Sequence, residues 1–220
     1  MISVNCRGER EYQFEPERTA LLAIDFQKEF FADESAECIE DMRAIVPRVA
    51  QLLEFARKSG CRVIHTRESY QPDLSDVHDY RRSLNYVGEP GPLGRFCIMG
   101  EAGHEFVDSL EPLPNEPVVD KAGFSGFYRS ELDDLLQRQN IDHLIICGVT
   151  TQCCVHSTLR EAVDRGYWCL TVADCCAATD AGMHDAALSL IAGEGHLFGW
   201  VTDLEDLLAA DQSIPDNKRT

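Results

Sequence analysis

Asp25, Lys121 and Cys154 supply an acid, a cation and a thiol, three groups that together could carry out acyl transfer through a thioester. A thiol attacks as its thiolate, and a nearby lysine or a helix N-terminus favours that anion. A carboxylate within reach can take the thiol proton and return it to a leaving amine. Free N–H groups at a helix start can hold the developing oxyanion. Taken singly, each residue has an ordinary reading. Asp25 could be a turn residue, Lys121 a solvated lysine, and Cys154, beside Cys153, a small core hydrophobe.

What joins them is the pattern of elements around them. ALLAIDF (20–26) is an apolar run that ends at an acid and reads as a buried strand. Apolar residues at helical spacing over 39–60 stop at Gly60. CRVIHT (61–66) reads as a strand, and PVVDK (117–121) as a short strand end. Between them, 67–117 is a long polar stretch rich in Gly and Pro, and a connection of that length usually carries function. A helix over 130–139 has Ser130 as its N-cap and acids in its first turn. HLIICGV (143–149) is the clearest strand. A helix over 151–166, a strand over 168–174, a helix over 180–193 capped by Asp180, a strand over 196–203 and a terminal helix LEDLLAA follow.

Strands apolar on both faces, alternating with helices, predict a single α/β domain over 1–220, with a mainly parallel sheet between two helical layers. In such a sheet, ligands bind beyond the carboxyl ends of the strands. Asp25, Lys121 and the loop leading to Cys154 all fall on that edge. Their joint placement raises the trio above its separate readings.

Composition narrows the function further. The net charge is −18, which disfavours phosphate backbones and anionic membrane surfaces as partners. No apolar run approaches a membrane span, and MISVNCRGEREYQ has no secretory apolar region, so a cytoplasmic location is expected. Ten cysteines lack C-x-x-C spacing, and Cys61, Cys147 and Cys169 lie in apolar segments; they are expected to be reduced thiols. The G-x-G-x-x-G and G-x-x-x-x-G-K fingerprints are absent, so no nucleotide cofactor is expected.

ALLAIDFQKEF (20–30), VVDKAGFSGFYRSEL (118–132) and LIICGVTTQCCVHSTLREAVDRGYWCLTVADCCAA (144–178) resemble the isochorismatase-like cysteine hydrolases over nearly the whole chain. The resemblance implies a Rossmann-like fold and an Asp-Lys-Cys triad. The family's nucleophile motif, roughly G-x-x-T-x-x-C-V, fits Gly148, Thr151, Cys154 and Val155, and so selects Cys154 over Cys153. It also implies a cis peptide between Val149 and Thr150, an oxyanion hole from the Thr150 and Cys154 amides, and a homo-oligomer, often a tetramer. HTRESYQPDLSD (65–76), EPGPLGR (89–95), GEAGHEF (100–106) and DCCAATDAGMHDAAL (174–188) resemble the biuret-hydrolase branch, which cleaves small ureido compounds. The segment HTRESYQPD lacks the Asp/His metal pattern of the nicotinamidase branch, so no catalytic metal is expected.

Two positions depart from the biuret-hydrolase pattern: Glu194 stands for a glutamine and Phe124 for a lysine. An ionised glutamate only accepts hydrogen bonds, which suits an N–H-rich or cationic substrate end. The expected substrate is therefore a small ureide such as biuret or triuret, with guanylurea, ureidoacrylate or an N-carbamoyl amino acid as alternatives. Phe30, Phe124 and Tyr128 are expected to line the pocket, and Arg67, Glu68 and Glu194 to hold polar substrate groups. A binding protein without catalysis is the reading from a different class; equal reactivity of Cys154, Cys153 and Cys61 towards an alkylating agent would favour it.

Overall fold

The computed structural model describes residues 1–31 and 40–212. A hairpin of β1 (Ile2–Cys6) and β2 (Arg10–Phe14) precedes β3 (Thr19–Ile24), α1 (Lys28–Phe31) and α2 (Glu40–Ser59). Next come β4 (Arg62–Glu68), α3 (Asp79–Ser83), a small ribbon of β5 (Pro90–Gly91) and β6 (Gly94–Arg95), β7 (Val118–Lys121) and α4 (Leu132–Arg138). β8 (His143–Val149) runs into a π-helical turn over Thr151–Val155 and then α5 (His156–Asp164). β9 (Trp168–Ala177), α6 (Ala181–His196), β10 (Trp200–Thr202) and α7 (Leu204–Gln212) complete the described chain.

Six strands form one sheet in the order β10-β9-β8-β3-β4-β7, with every neighbouring pair parallel. This is the α/β architecture that the doubly buried strands predict. Leu21, Leu22 and Ile24 of β3 and Leu144, Ile145 and Ile146 of β8 are wholly buried, and each such side chain stabilises the fold by about 1.5–3 kcal/mol. α2 carries the chain from β3 towards β7, whereas α5 and α6 carry it the other way, towards β10. Right-handed crossovers running in opposite directions place their helices on opposite faces. The direction reverses between β3 and β8, and a crevice opens there at the carboxyl ends.

Close approach at that switch point needs a glycine. Gly148 has φ +139°, and a Cβ there would lie 2.2 Å from the Ile24 carbonyl oxygen. Gly148→Ala is expected to cost roughly 3 kcal/mol, from overpacking and a disfavoured backbone together. A thermal melt that matches the wild type would contradict this. Beside Gly148 the β8–β9 register shifts: Ile146 pairs with Thr171, but Gly148 pairs with Cys176. Such an irregularity bends a strand locally and interrupts its regular pairing.

Several elements differ from expectation. The β1–β2 hairpin was not foreseen; its alternating residues Ile2, Val4, Tyr12 and Phe14 are buried, a period-2 pattern diluted by charged neighbours. Ser130 does not sit at the N-cap, which is Glu131, but its hydroxyl still accepts from the Leu132 amide at 3.3 Å. Asp180 caps α6 as expected, accepting from the Met183 amide at 3.0 Å. The strand expected over 196–203 shrinks to Trp200–Thr202, because α6 continues through a kink at Gly193–Gly195.

Candidate active site

Asp25 is the first residue beyond β3 and adopts a left-handed backbone, φ 59°. Its amide donates to the Thr66 carbonyl at 3.1 Å. Its Oδ1 accepts from the Thr66 hydroxyl at 2.9 Å. Lys121, the last residue of β7, places its Nζ 2.8 Å from Asp25 Oδ2 and donates to the Gly123 carbonyl at 2.8 Å. Both side chains are almost wholly buried. Burial alone would lower the lysine pKa, but the charges of Asp25, Cys154 and Glu68 outweigh it and hold the ammonium above its ordinary value. The pair is therefore a fixed ion pair in the floor of the crevice.

Cys154 lies in the π-helical turn, a feature frequent at functional sites. The Thr150 carbonyl closes the turn by accepting from the amides of Cys153 at 3.0 Å and Val155 at 3.3 Å. Thr158 Oγ1 donates to the Cys154 carbonyl at 2.7 Å and accepts from the Gly126 amide at 2.8 Å. That bridge ties the cysteine to the loop after Lys121. The Val149–Thr150 peptide is cis, as the resemblance implies.

One acidic group reaches the thiol from β4. Glu68 Oε2 lies 3.9 Å from Cys154 Sγ. Donor atoms of Asp25, Glu68 and Cys154 all fall within 4.8 Å of one another. By element type such a trio could ligate a cation. Here its carboxylates are committed, Asp25 to Lys121 and Glu68 to Arg81, and two fixed positive charges oppose a third. The donor set suits proton transfer better than metal binding.

The Cys154 thiol shares a hydrogen bond with the neighbouring Cys153 thiol, which raises Cys154 and lowers Cys153. Burial, Asp25 and Glu68 also raise Cys154, and the Lys121 ammonium opposes them.

These groups line a pocket of about 170 Å³, together with Phe30, Met42, Tyr86, Phe124, Val149, Thr150, Cys153 and Thr179. Of the residues expected to bind substrate, Phe30, Glu68 and Phe124 are therefore on its wall. Three others are elsewhere. Arg67 alternates with Glu68 along β4, faces away, and pairs with Asp120 at 3.0 Å. Tyr128 lines a neighbouring groove beyond Phe124. Glu194 is exposed on the α6 kink, where it and Gly195 both have positive φ, 49° and 77°.

Sequence reasoning missed Arg81, buried in α3. Its Nη2 pairs with Glu68 Oε1, its Nε donates to the Tyr70 hydroxyl at 2.8 Å, and its guanidinium lies 3.6 Å from the Phe124 ring centroid. Nothing in YRRS distinguishes it from Arg82, which instead donates to the Val77 carbonyl. The only pointer was the length of the segment that carries both.

A second buried acid stands behind the pocket. Glu29 accepts from Gln27 Nε2 at 2.7 Å and the Cys97 amide at 2.9 Å. Burial, with Glu68 and Asp25 adding to it, pushes its carboxyl up to about 7. The folded state thus binds a proton that the unfolded state releases above its ordinary carboxyl range. The stability this gives is full below about pH 4.5 and lost by about pH 7, up to about 3 kcal/mol. Denaturant midpoints of the wild type, relative to Glu29→Gln, are expected to fall across that window; a flat difference would contradict the assignment.

Fold and site together define an α/β protein carrying the groups for thiol-mediated acyl transfer at the switch point of its sheet. The chain belongs to the isochorismatase family, whose domain model matches residues 19–206. It is 28% identical over 212 residues to the ureidoacrylate amidohydrolase RutB of Azorhizobium caulinodans, covering 90% of this chain and 92% of that protein. Among solved structures it is similar to a cysteine hydrolase from Pseudomonas syringae, with TM-score 0.83 and 28% identity, covering 92% of this chain and 96% of that one. It is also similar to an isochorismatase family protein from Desulfovibrio vulgaris, with TM-score 0.77 and 31% identity, covering 87% and 98%.

Proposed function

We propose that this protein hydrolyses a C–N bond of a small planar ureide through a thioester on Cys154. The broad class, an amidohydrolase acting outside peptides, is that of the ureidoacrylate amidohydrolase named above. The observation that carries the reading is the convergence of the Cys154 thiol, the Asp25–Lys121 pair and Glu68 Oε2 on one small pocket with aromatic walls.

Asp25 takes the thiol proton as Cys154 Sγ bonds to the ureide carbonyl carbon. The amides of Thr150 and Cys154 donate to the oxyanion. The C–N bond breaks, and Asp25 passes the proton to the departing nitrogen. Water, deprotonated by Asp25, then adds to the thioester, and Cys154 leaves as a thiol again. Lys121 holds the Asp25 carboxylate in place through the 2.8 Å ion pair. Phe30 and Phe124 give flat faces to a planar ureide, and Glu68 Oε2 accepts from one of its N–H groups.

The pocket wall carries two carboxylates, while Arg81 is engaged with Glu68. That charge pattern favours a neutral or cationic ureide, with biuret or triuret first and guanylurea beside them. Ureidoacrylate is the second reading, favoured by the relative; its carboxylate would have to lie towards the mouth. Ammonia release from biuret, triuret, guanylurea, N-carbamoylsarcosine and ureidoacrylate tests both. Turnover of a neutral or cationic ureide above the carboxylated ones supports the first reading. Preference for ureidoacrylate supports the second, and silence on all five removes both.

A further inference from the structure

The two oxygens of Glu68 have different surroundings. Oε1 is occupied by Arg81 Nη2 and by the Tyr70 hydroxyl, which donates at 3.2 Å. Oε2 faces Cys154 Sγ across the pocket. Arg81 reaches Glu68 from α3, within the long segment between β4 and β7, and is 3% exposed. Its contacts with Glu68, the Tyr70 hydroxyl and the Phe124 ring fix both its charge and its plane.

We propose, building on the ureide reading, that Arg81 is a positioning residue that fixes Glu68 as an ionised acceptor for a substrate N–H. It thereby sets a preference for nitrogen over oxygen at that end of the substrate. An ionised carboxylate only accepts hydrogen bonds, whereas a protonated one also donates. A buried glutamate without a partner neutralises rather than remain charged.

The groups that bear on Glu68 come from every side: Asp25 beyond β3, Glu29 in α1, Tyr70 beyond β4, Arg81 in α3, Tyr86 and Cys97 in the segment that follows, Lys121 in β7, and Cys153 and Cys154 in the π-helical turn. Burial, with Asp25 adding to it, raises the Glu68 carboxyl above its ordinary value, and Lys121 and Arg81 hold it down against that rise. Lys121 is in contact with Asp25, so Arg81 is the cation that Glu68 has to itself. With Oε1 occupied, Oε2 is left for the substrate. An N–H there meets an acceptor, whereas an ester oxygen meets a negative charge with no proton between them, the kind of mismatch that discriminates strongly.

The test uses Arg81→Met and Arg81→Lys in the full chain. kcat/KM is followed from about pH 5.5 to about 9 on a neutral ureide and on its analogue with the uncleaved terminal –NH2 replaced by –OCH3. Arg81→Met is expected to move the acid limb up by about one pH unit and to cut the nitrogen-over-oxygen preference about tenfold. Arg81→Lys keeps the charge but loses the planar fork, so its acid limb stays while KM rises about fivefold at nearly constant kcat. An Arg81→Met profile and preference equal to the wild type would overturn the proposal. So would an Arg81→Lys variant whose kcat falls at unchanged KM, a result that decides the matter even if Arg81→Met does not fold.

Infrared spectra read Glu68 without substrate. In a Glu29→Gln background, which removes the other buried acid that holds a proton near neutral pH, a protonated-carboxyl band is expected with Arg81→Met, but not with Arg81 intact or with Arg81→Met and Glu68→Gln together. Absence of that band in a folded Arg81→Met overturns the role of Arg81. A wild type silent on every ureide overturns only the reading beneath it.

Discussion

Replacing Cys154 by serine is expected to lower kcat/KM by at least about 10⁴-fold while leaving the fold intact, because a nucleophile works as a unit with its base. The side chain is buried in a turn held by backbone hydrogen bonds to the Thr150 carbonyl and by the Thr158 bridge. A hydroxyl fits there without disturbing those contacts. It is a poorer nucleophile than sulfur, and Asp25 would have to remove a far less acidic proton. Cys153 lines the same pocket but is not the residue to which Thr158 and Glu68 are directed, so Cys153→Ser should retain most activity. Comparable losses in the two variants would contradict the assignment of the nucleophile.

The second large effect belongs to Lys121. Lys121→Met leaves Asp25 buried without its cation, and breaking such a pair costs about 3–5 kcal/mol. Asp25 also loses the group that holds its carboxylate in place for proton transfer, so activity falls as well. A double variant separates the two roles. Asp25→Asn combined with Lys121→Met removes both charges and should recover much of the lost stability, since neutral pairs can replace buried ion pairs at little cost. It should recover no activity. Chemical denaturation and steady-state rates on the three proteins check this. A double variant as unstable as Lys121→Met, or one that regains turnover, would show that the pair does not work as described.

Much of this arrangement was legible in the chain. β3, β8 and β9 announced themselves because a strand buried on both faces is apolar throughout, and no helix-length pattern competes with it. Asp25, Lys121 and Cys154 could be placed at one edge because each follows such a strand. The pocket wall was harder. Arg67 and Glu68 both looked suited to hold substrate, yet alternation along β4 allows only one of them to face the crevice, a signal available in the sequence. Tyr128 and Glu194 depended on the paths of a loop and a kinked helix, which local pattern does not fix. Arg81 was hidden because a short helix inside a long polar segment carries no periodicity. The closeness of Glu68 to Cys154 was hidden for a related reason: it appears only once the strands are assembled.

The most direct test of the central claim is to quench the wild type with acid during turnover of the ureide it cleaves fastest, and to weigh and map the protein. A single acyl adduct of the mass left by the substrate, located on Cys154 and missing from Cys154→Ser, is the predicted result. Turnover with no adduct under any quench time, or an adduct on Cys153 instead, would contradict it.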